Sequence, residues 1–111
     1  MRIDAETIAR IDSTLLPQLD RHHLRLLIHC LESFRSMNRK TDGALPDVDQ
    51  RRRWCEQQPM VARDTRFLNV LLSQLNNAAL QLELLADSCG KQPLHLSLDD
   101  LIAAAEIRCQ N

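Results

Sequence analysis

The stretch DRHHLRLLIHCLESF, residues 20–34, gathers His22, His23, His29 and Cys30 within nine positions. Imidazole and thiolate are zinc ligands, and two of them on one helix can share an ion when they sit four residues apart. Here the histidine separations are one, six and seven residues. His22 and His29 share a helical face but lie about 10.5 Å apart along the axis, and His23 and Cys30 have the same spacing. Zinc bonds of about 2.0–2.3 Å cannot bridge that gap. His22 and His29 fall opposite Leu24 and Leu31, as solvated residues do. A metal would need ligands from another helix or subunit, and His95 with Cys89 or Cys109 is the one candidate set. No metal site and no cofactor is expected.

Catalytic patterns fare similarly. Gly43 and Gly90 are the only glycines, so there is no glycine-rich phosphate loop, and no GxSxG elbow occurs. Cys30 beside His29 pairs a nucleophile with a base in sequence, but helix neighbours diverge by about 100° and do not face each other. Asp99 and Asp100 form a carboxylate pair at a helix start, where acidic side chains belong for dipole reasons. No catalytic residue is assigned, and the chain reads as a non-enzyme.

The elements that carry these residues are helical. In 111 residues, 44% hydrophobic and 26% charged, the composition is that of a globular domain, long enough for one core. Leucine, alanine, glutamine and arginine dominate, and these favour helix. The N-terminal MRIDAETIAR has no apolar signal core, and the longest apolar run, Leu101–Ala105, is far short of the roughly 20 residues of a membrane span. A cytoplasmic chain off the membrane is expected. Its four cysteines, Cys30, Cys55, Cys89 and Cys109, form no CxxC pair and read as reduced, small buried hydrophobes.

A first helix is readable from Asp4 to near Leu16, with Ile8, Ile11 and Leu15 at helical spacing. A second runs from Pro17 or Asp20 to about Asn38. Its apolar arc, Leu24, Leu27, Ile28, Leu31 and Phe34 widened by Leu19, Leu26, Cys30 and Met37, is broader than one packed face needs. Residues 39–49 form a loop. Asp47 and Gln50 have capping-box spacing for a short helix over Val48–Gln57, whose apolar side is only Val48, Trp54 and Cys55. Pro59 ends it.

The strongest pattern predicts a long helix over Val61–Cys89, stopped by Gly90. Leu68, Leu75, Leu82 and Cys89 recur every seven residues, with Leu71, Ala78 and Leu85 and with Leu72, Ala79 and Ala86 beside them. PLHLS, residues 93–97, is a connector. Ser97 and Asp100 cap a last helix whose stripe is Leu98, Leu101, Ile102 and Ala105. The fold class predicted is all-α. It is a single domain over 1–111, a bundle of four main helices and one short one, with the others packed along the long helix.

Two surfaces exceed what one small bundle needs. A second stripe on the long helix, Val70, Asn77 and Leu84 with Leu80 beside it, points to self-association as a homodimer. RRRWCEQQP, residues 51–59, sets Trp54 behind Arg51, Arg52 and Arg53, with Arg63 and Arg66 just beyond, residue types enriched at binding hot spots. The charge runs net −2 over residues 1–20, +4 over 21–66 and −3 over 67–111. The functional reading is a non-catalytic protein–protein interaction module, an adaptor or assembly factor, whose partner is another protein. The alternative is nucleic-acid binding through the basic segment 51–66, although its excess of charge is modest for that role.

Overall fold

A computed structural model of the chain describes residues 5–37 and 42–109. The described residues are all-α, with helices α1 (Ala5–Asp12), α2 (Gln18–Met37), α3 (Val48–Glu56), α4 (Pro59–Arg63), α5 (Phe67–Cys89) and α6 (Leu98–Cys109), and a 3₁₀ turn at Pro93–His95. The Asp4 cap and the start of the 39–49 loop lie outside the described residues.

α2 and α5 are the two central elements. α2 packs against α1, α3, α5, α6 and the 3₁₀ turn, and α5 against α2, α3, α4, α6 and that same turn. The broad apolar arc of α2 is thus explained in part by its many neighbours. The predicted arrangement differs in one respect: α1 packs on α2, and the short α3 takes a place along α5. Phe34, Ile11, Leu24, Ile28, Leu31, Leu82, Leu96, Leu101 and Cys55 are the largest fully buried side chains.

Local chemistry sets the boundaries. The Asp47 carboxylate accepts from the Gln50 amide at 2.8 Å and the Gln50 side chain accepts from the Asp47 amide at 3.0 Å, closing the capping box of α3. Ser97 and Asp100 do the same for α6 at 3.1 and 2.9 Å. Gly90 ends α5 in the left-handed conformation, φ 67°. Its freed amide and that of Lys91 bond back into the last turn.

Two predicted boundaries are corrected. α1 stops at Asp12, four residues early, because the hydroxyls of Ser13 and Thr14 donate back to the carbonyls of Arg10 and Ile11 and Pro17 disfavours helix at Leu16. The stripe therefore shifts: Leu15 is fully exposed and Leu16 is buried. The long helix starts at Phe67, and residues 59–63 form a separate turn of helix. Between them Asp64 is extended, and its carboxylate accepts from the Arg66 amide at 3.0 Å and from the Arg66 guanidinium. A short polar side chain that bonds the following backbone competes with helix propagation, and here it wins.

Arg35 is the polar residue that the wheel of α2 did not anticipate. It sits among the buried positions, where Nε donates to the Leu94 carbonyl at 3.0 Å and Nη2 to the Leu96 carbonyl at 2.6 Å. Glu32 pairs with it at 3.1 Å. The guanidinium thereby ties the connector before α6 onto α2. The cysteine reading holds for Cys30 and Cys55, which are buried, and not for Cys89 and Cys109, which lie at the ends of α5 and α6 and are exposed.

Candidate docking surfaces

His22 and His29 are exposed, and His23 is half-buried. The ring of His23 donates from Nε2 to Gln81 Oε1 across the α2–α5 seam at 2.6 Å. His95 lies against Gly43 in the 42–46 segment. Among the described residues no three His, Cys, Asp or Glu side chains gather as a metal-ligand set. Burial pushes the Cys30 thiol up to about 11, so it is protonated at neutral pH, and it faces inward while His29 faces solvent.

What α2, α5 and α6 build together is a groove. Its larger cavity, about 560 Å³, runs between Leu24 and Leu27 of α2, Leu84 and Leu85 of α5, and Leu101, Ala104, Ala105, Ile107 and Arg108 of α6. A second cavity of about 220 Å³ continues it along the α2–α5 seam, past Leu26, Cys30, Gln74, Asn77 and Ala78. His23, Leu27 and Gln81 line both, so the His23–Gln81 hydrogen bond crosses the groove where the two cavities meet. The floor is aliphatic. The rim carries Leu84 and Ile107, each 62% exposed. At the Arg108 end, α6 reaches back to α2, where the Cys109 thiol is raised by desolvation and by the Asp20 carboxylate beside it.

The predicted self-association stripe is an exposed face of α5. Val70 is 65% exposed, Leu80 59% and Leu84 62%, and Asn77 is exposed as well. Neither α3 nor the described part of the loop before it covers them. Leu84 and Asn77 line the groove itself. The contribution of α6 was not foreseen. Ile107 stood off the buried stripe of its helix, and that was the one sign of it in the sequence.

The basic segment forms a different surface. Arg52, Arg53 and Arg63 are exposed on α3 and α4, helices in contact with each other, and make no ion pair among the described residues. Arg66 instead forks onto Asp64, Nη2 to Oδ2 at 2.7 Å, and this hydrogen-bonded pairing holds the Asp64 carboxyl below the usual carboxylate range. Arg51 is half-buried, and its Nε has no hydrogen-bond partner among the described residues. Trp54 is half-buried, with part of the indole packed against the core. Apolar exposure near the arginines comes from Met60 at 52% and Phe67 at 46%.

A family model described as "NDH complex assembly factor CRR9" matches residues 3–111. The chain belongs to that family. No curated protein and no solved structure matches it.

Proposed function

We propose that this member of the CRR9 family takes part in assembly of the NDH complex as a non-catalytic factor that binds another polypeptide. The family supports the assembly role. The observation that carries the binding mode is the aliphatic groove of about 560 Å³ with Leu84 and Ile107 standing exposed on its rim. Exposed contiguous apolar surface marks interaction sites on small domains. A factor that shields a subunit before its partners arrive needs a surface of this kind. The arginines of α3 and α4 supply a second contact, suited to an acidic patch.

The test is affinity purification of the tagged full chain from cells that make the NDH complex, at moderate salt, with the recovered proteins identified. Components of the NDH complex are expected. Recovery of none of them, by a chain that is folded and expressed, would overturn the proposal. The salt dependence separates it from nucleic-acid binding through residues 51–66, since phosphate contacts weaken by orders of magnitude over that range. A homodimer through Val70, Asn77, Leu80 and Leu84 is the competing use of the apolar face, and the exposure of that stripe is the observation in its favour. Light scattering after gel filtration tests it, and a monomer at high concentration ends it. A cytoplasmic site of action belongs to the same proposal and is tested by cell fractionation.

A further inference from the structure

We propose that the groove between α2, α5 and α6 receives one amphipathic helix of a partner protein, laid along α5 with a carboxylate side chain at the Arg108 end. The inference rests on the reading of the chain as a factor that binds another polypeptide, and it specifies the kind of segment bound.

The conformation of the occupant follows from the walls. All three walls are helices, whose backbone groups are bonded within their own turns. An extended segment lying in the groove would bury amides and carbonyls with no backbone partner, at a cost of about 1–3 kcal/mol for each group left unpaired. A helix satisfies its own backbone and needs only apolar side chains to fill the floor. Along α5 the lining runs from Gln74 to Ser88. That is about 21 Å, the length of roughly four turns. Ala78 and Ala104 leave room for close approach.

The charge follows from the lining. Besides the buried Cys30 thiol, His23 and Arg108 are the only ionisable side chains among the described residues that line the two cavities, and no carboxylate of those residues lines either one. Arg108 is exposed and makes no ion pair among the described residues. The Asp20 carboxylate at this end is turned to Cys109 and lies outside the cavity lining, so within the groove a partner helix with a glutamate or aspartate meets Arg108, and one with a lysine meets repulsion.

The same polarity disfavours a second copy of this chain as the occupant. Val70 and Leu84 flank Asn77 symmetrically, so a two-fold pairing of α5 helices centred there sets Ser88 of one copy opposite Arg66 of the other. The Arg108 end would then face the end that carries Arg63, a cation with no ion pair among the described residues, and Asp64, the one carboxylate in residues 59–73, which Arg66 already holds, so a second copy offers Arg108 no free acid there.

The test uses the full chain and three fluorescent synthetic peptides. All share one leucine-striped helical sequence about four turns long, and they differ only in a terminal-turn residue that is glutamate, glutamine or lysine. Fluorescence anisotropy should rank them glutamate, glutamine, lysine, with about tenfold between the first and last. Arg108→Glu should invert that order. Leu84→Glu and Ile107→Glu, both at exposed positions, should abolish binding of all three while the helical circular dichroism and melting stay unchanged. The inference is overturned if no peptide binds, if all three bind alike, or if the order survives Arg108→Glu. It also falls if light scattering shows a dimer that Leu84→Glu dissociates, for then a second copy fills the groove. The two readings fail separately. A Leu84→Glu chain that still recovers NDH components from cells sinks the groove and spares the assembly role. A wild-type chain that recovers none sinks the assembly role and leaves the peptide result standing.

Discussion

Gly43 and Gly90 both hold positive φ, 78° and 67°, and only one of them is also hemmed in. A Cβ at Gly43 would lie 2.7 Å from Gln92 Cβ and 2.8 Å from the His95 ring, whereas at Gly90 nothing lies within 4 Å. Gly90→Ala should therefore cost the left-handed penalty alone, about 1–2 kcal/mol. Gly43→Ala should cost more, because the turn that gives its carbonyl to the Leu94 amide at 2.8 Å must move as well. Denaturant unfolding of the two variants checks the ranking, and equal losses would mean that the 42–46 segment yields freely. Charge acts at the same level of detail. The Asp100 carboxyl is held below its usual range by Lys91 and by the Ser97 amide, and Asp64 by Arg66. A folded pKa below the unfolded one contributes stability that is present above the unfolded value and lost as pH falls through the folded value. Stability should thus decline on acidification beneath the ordinary carboxylate range, and Asp100→Asn should flatten that decline. The Lys91 ammonium is raised by the same pair, so its share is present below the unfolded lysine value and fades as pH rises through the folded one. A urea midpoint followed against pH in the wild type and in Asp100→Asn reads the slope directly.

The helices show which signals a sequence carries in the open. The seven-residue spacing of leucines gave away α5, the capping boxes gave the starts of α3 and α6, and a lone glycine gave the stop at residue 90. Each of these is a local pattern whose energetics are complete within a few residues. The errors arose where a different local interaction outweighed helix propensity: Asp64 turning the chain onto Arg66, and Ser13 and Thr14 bonding back to the end of α1. The buried face of α5 permits a sharp comparison. Leu75 is 2% exposed at mid-helix, so Leu75→Ala should cost roughly 2–5 kcal/mol through lost contacts and a cavity. Cys89 occupies the same heptad position seven residues beyond Leu82, yet it is exposed at the helix end. Cys89→Ala should change stability by no more than about 0.5 kcal/mol. Thermal melts that treat the two substitutions alike would show that spacing alone decides burial, against the packing described.

The candidate docking surfaces were only half legible, for a reason of topology. Val70, Asn77 and Leu84 could be found from spacing within one helix. Ile107 and Arg108 could not be joined to them, because the return of α6 against α5 depends on the 90–97 connection and on Arg35 pinning it to α2. The basic segment was legible as charge, but the half-burial of Trp54 was not, since an indole beside three arginines reads as anchor or as core. With Trp54 half-buried against the core, the docking role proposed for this segment rests on Arg52, Arg53 and Arg63 with Met60 and Phe67. If an acidic patch of the partner meets them, reversal of charge should break the contact without breaking the fold. Arg52→Glu with Arg53→Glu alters two exposed side chains with no ion partner among the described residues. Arg53 lies in the last turn of α3, where a cation favours the helix dipole, so its reversal should cost about 0.3–1 kcal/mol. A slightly lower melting temperature with unchanged helical content is therefore the expected background. Against it, recovery of the partner should be lost at physiological salt, and restored in part by Arg→Lys at the same two positions, which keeps the charge. A double reversal that melts in this way and still recovers the same partner would leave the whole of the docking to the groove of α2, α5 and α6. Leu84→Glu should then be the substitution that abolishes it.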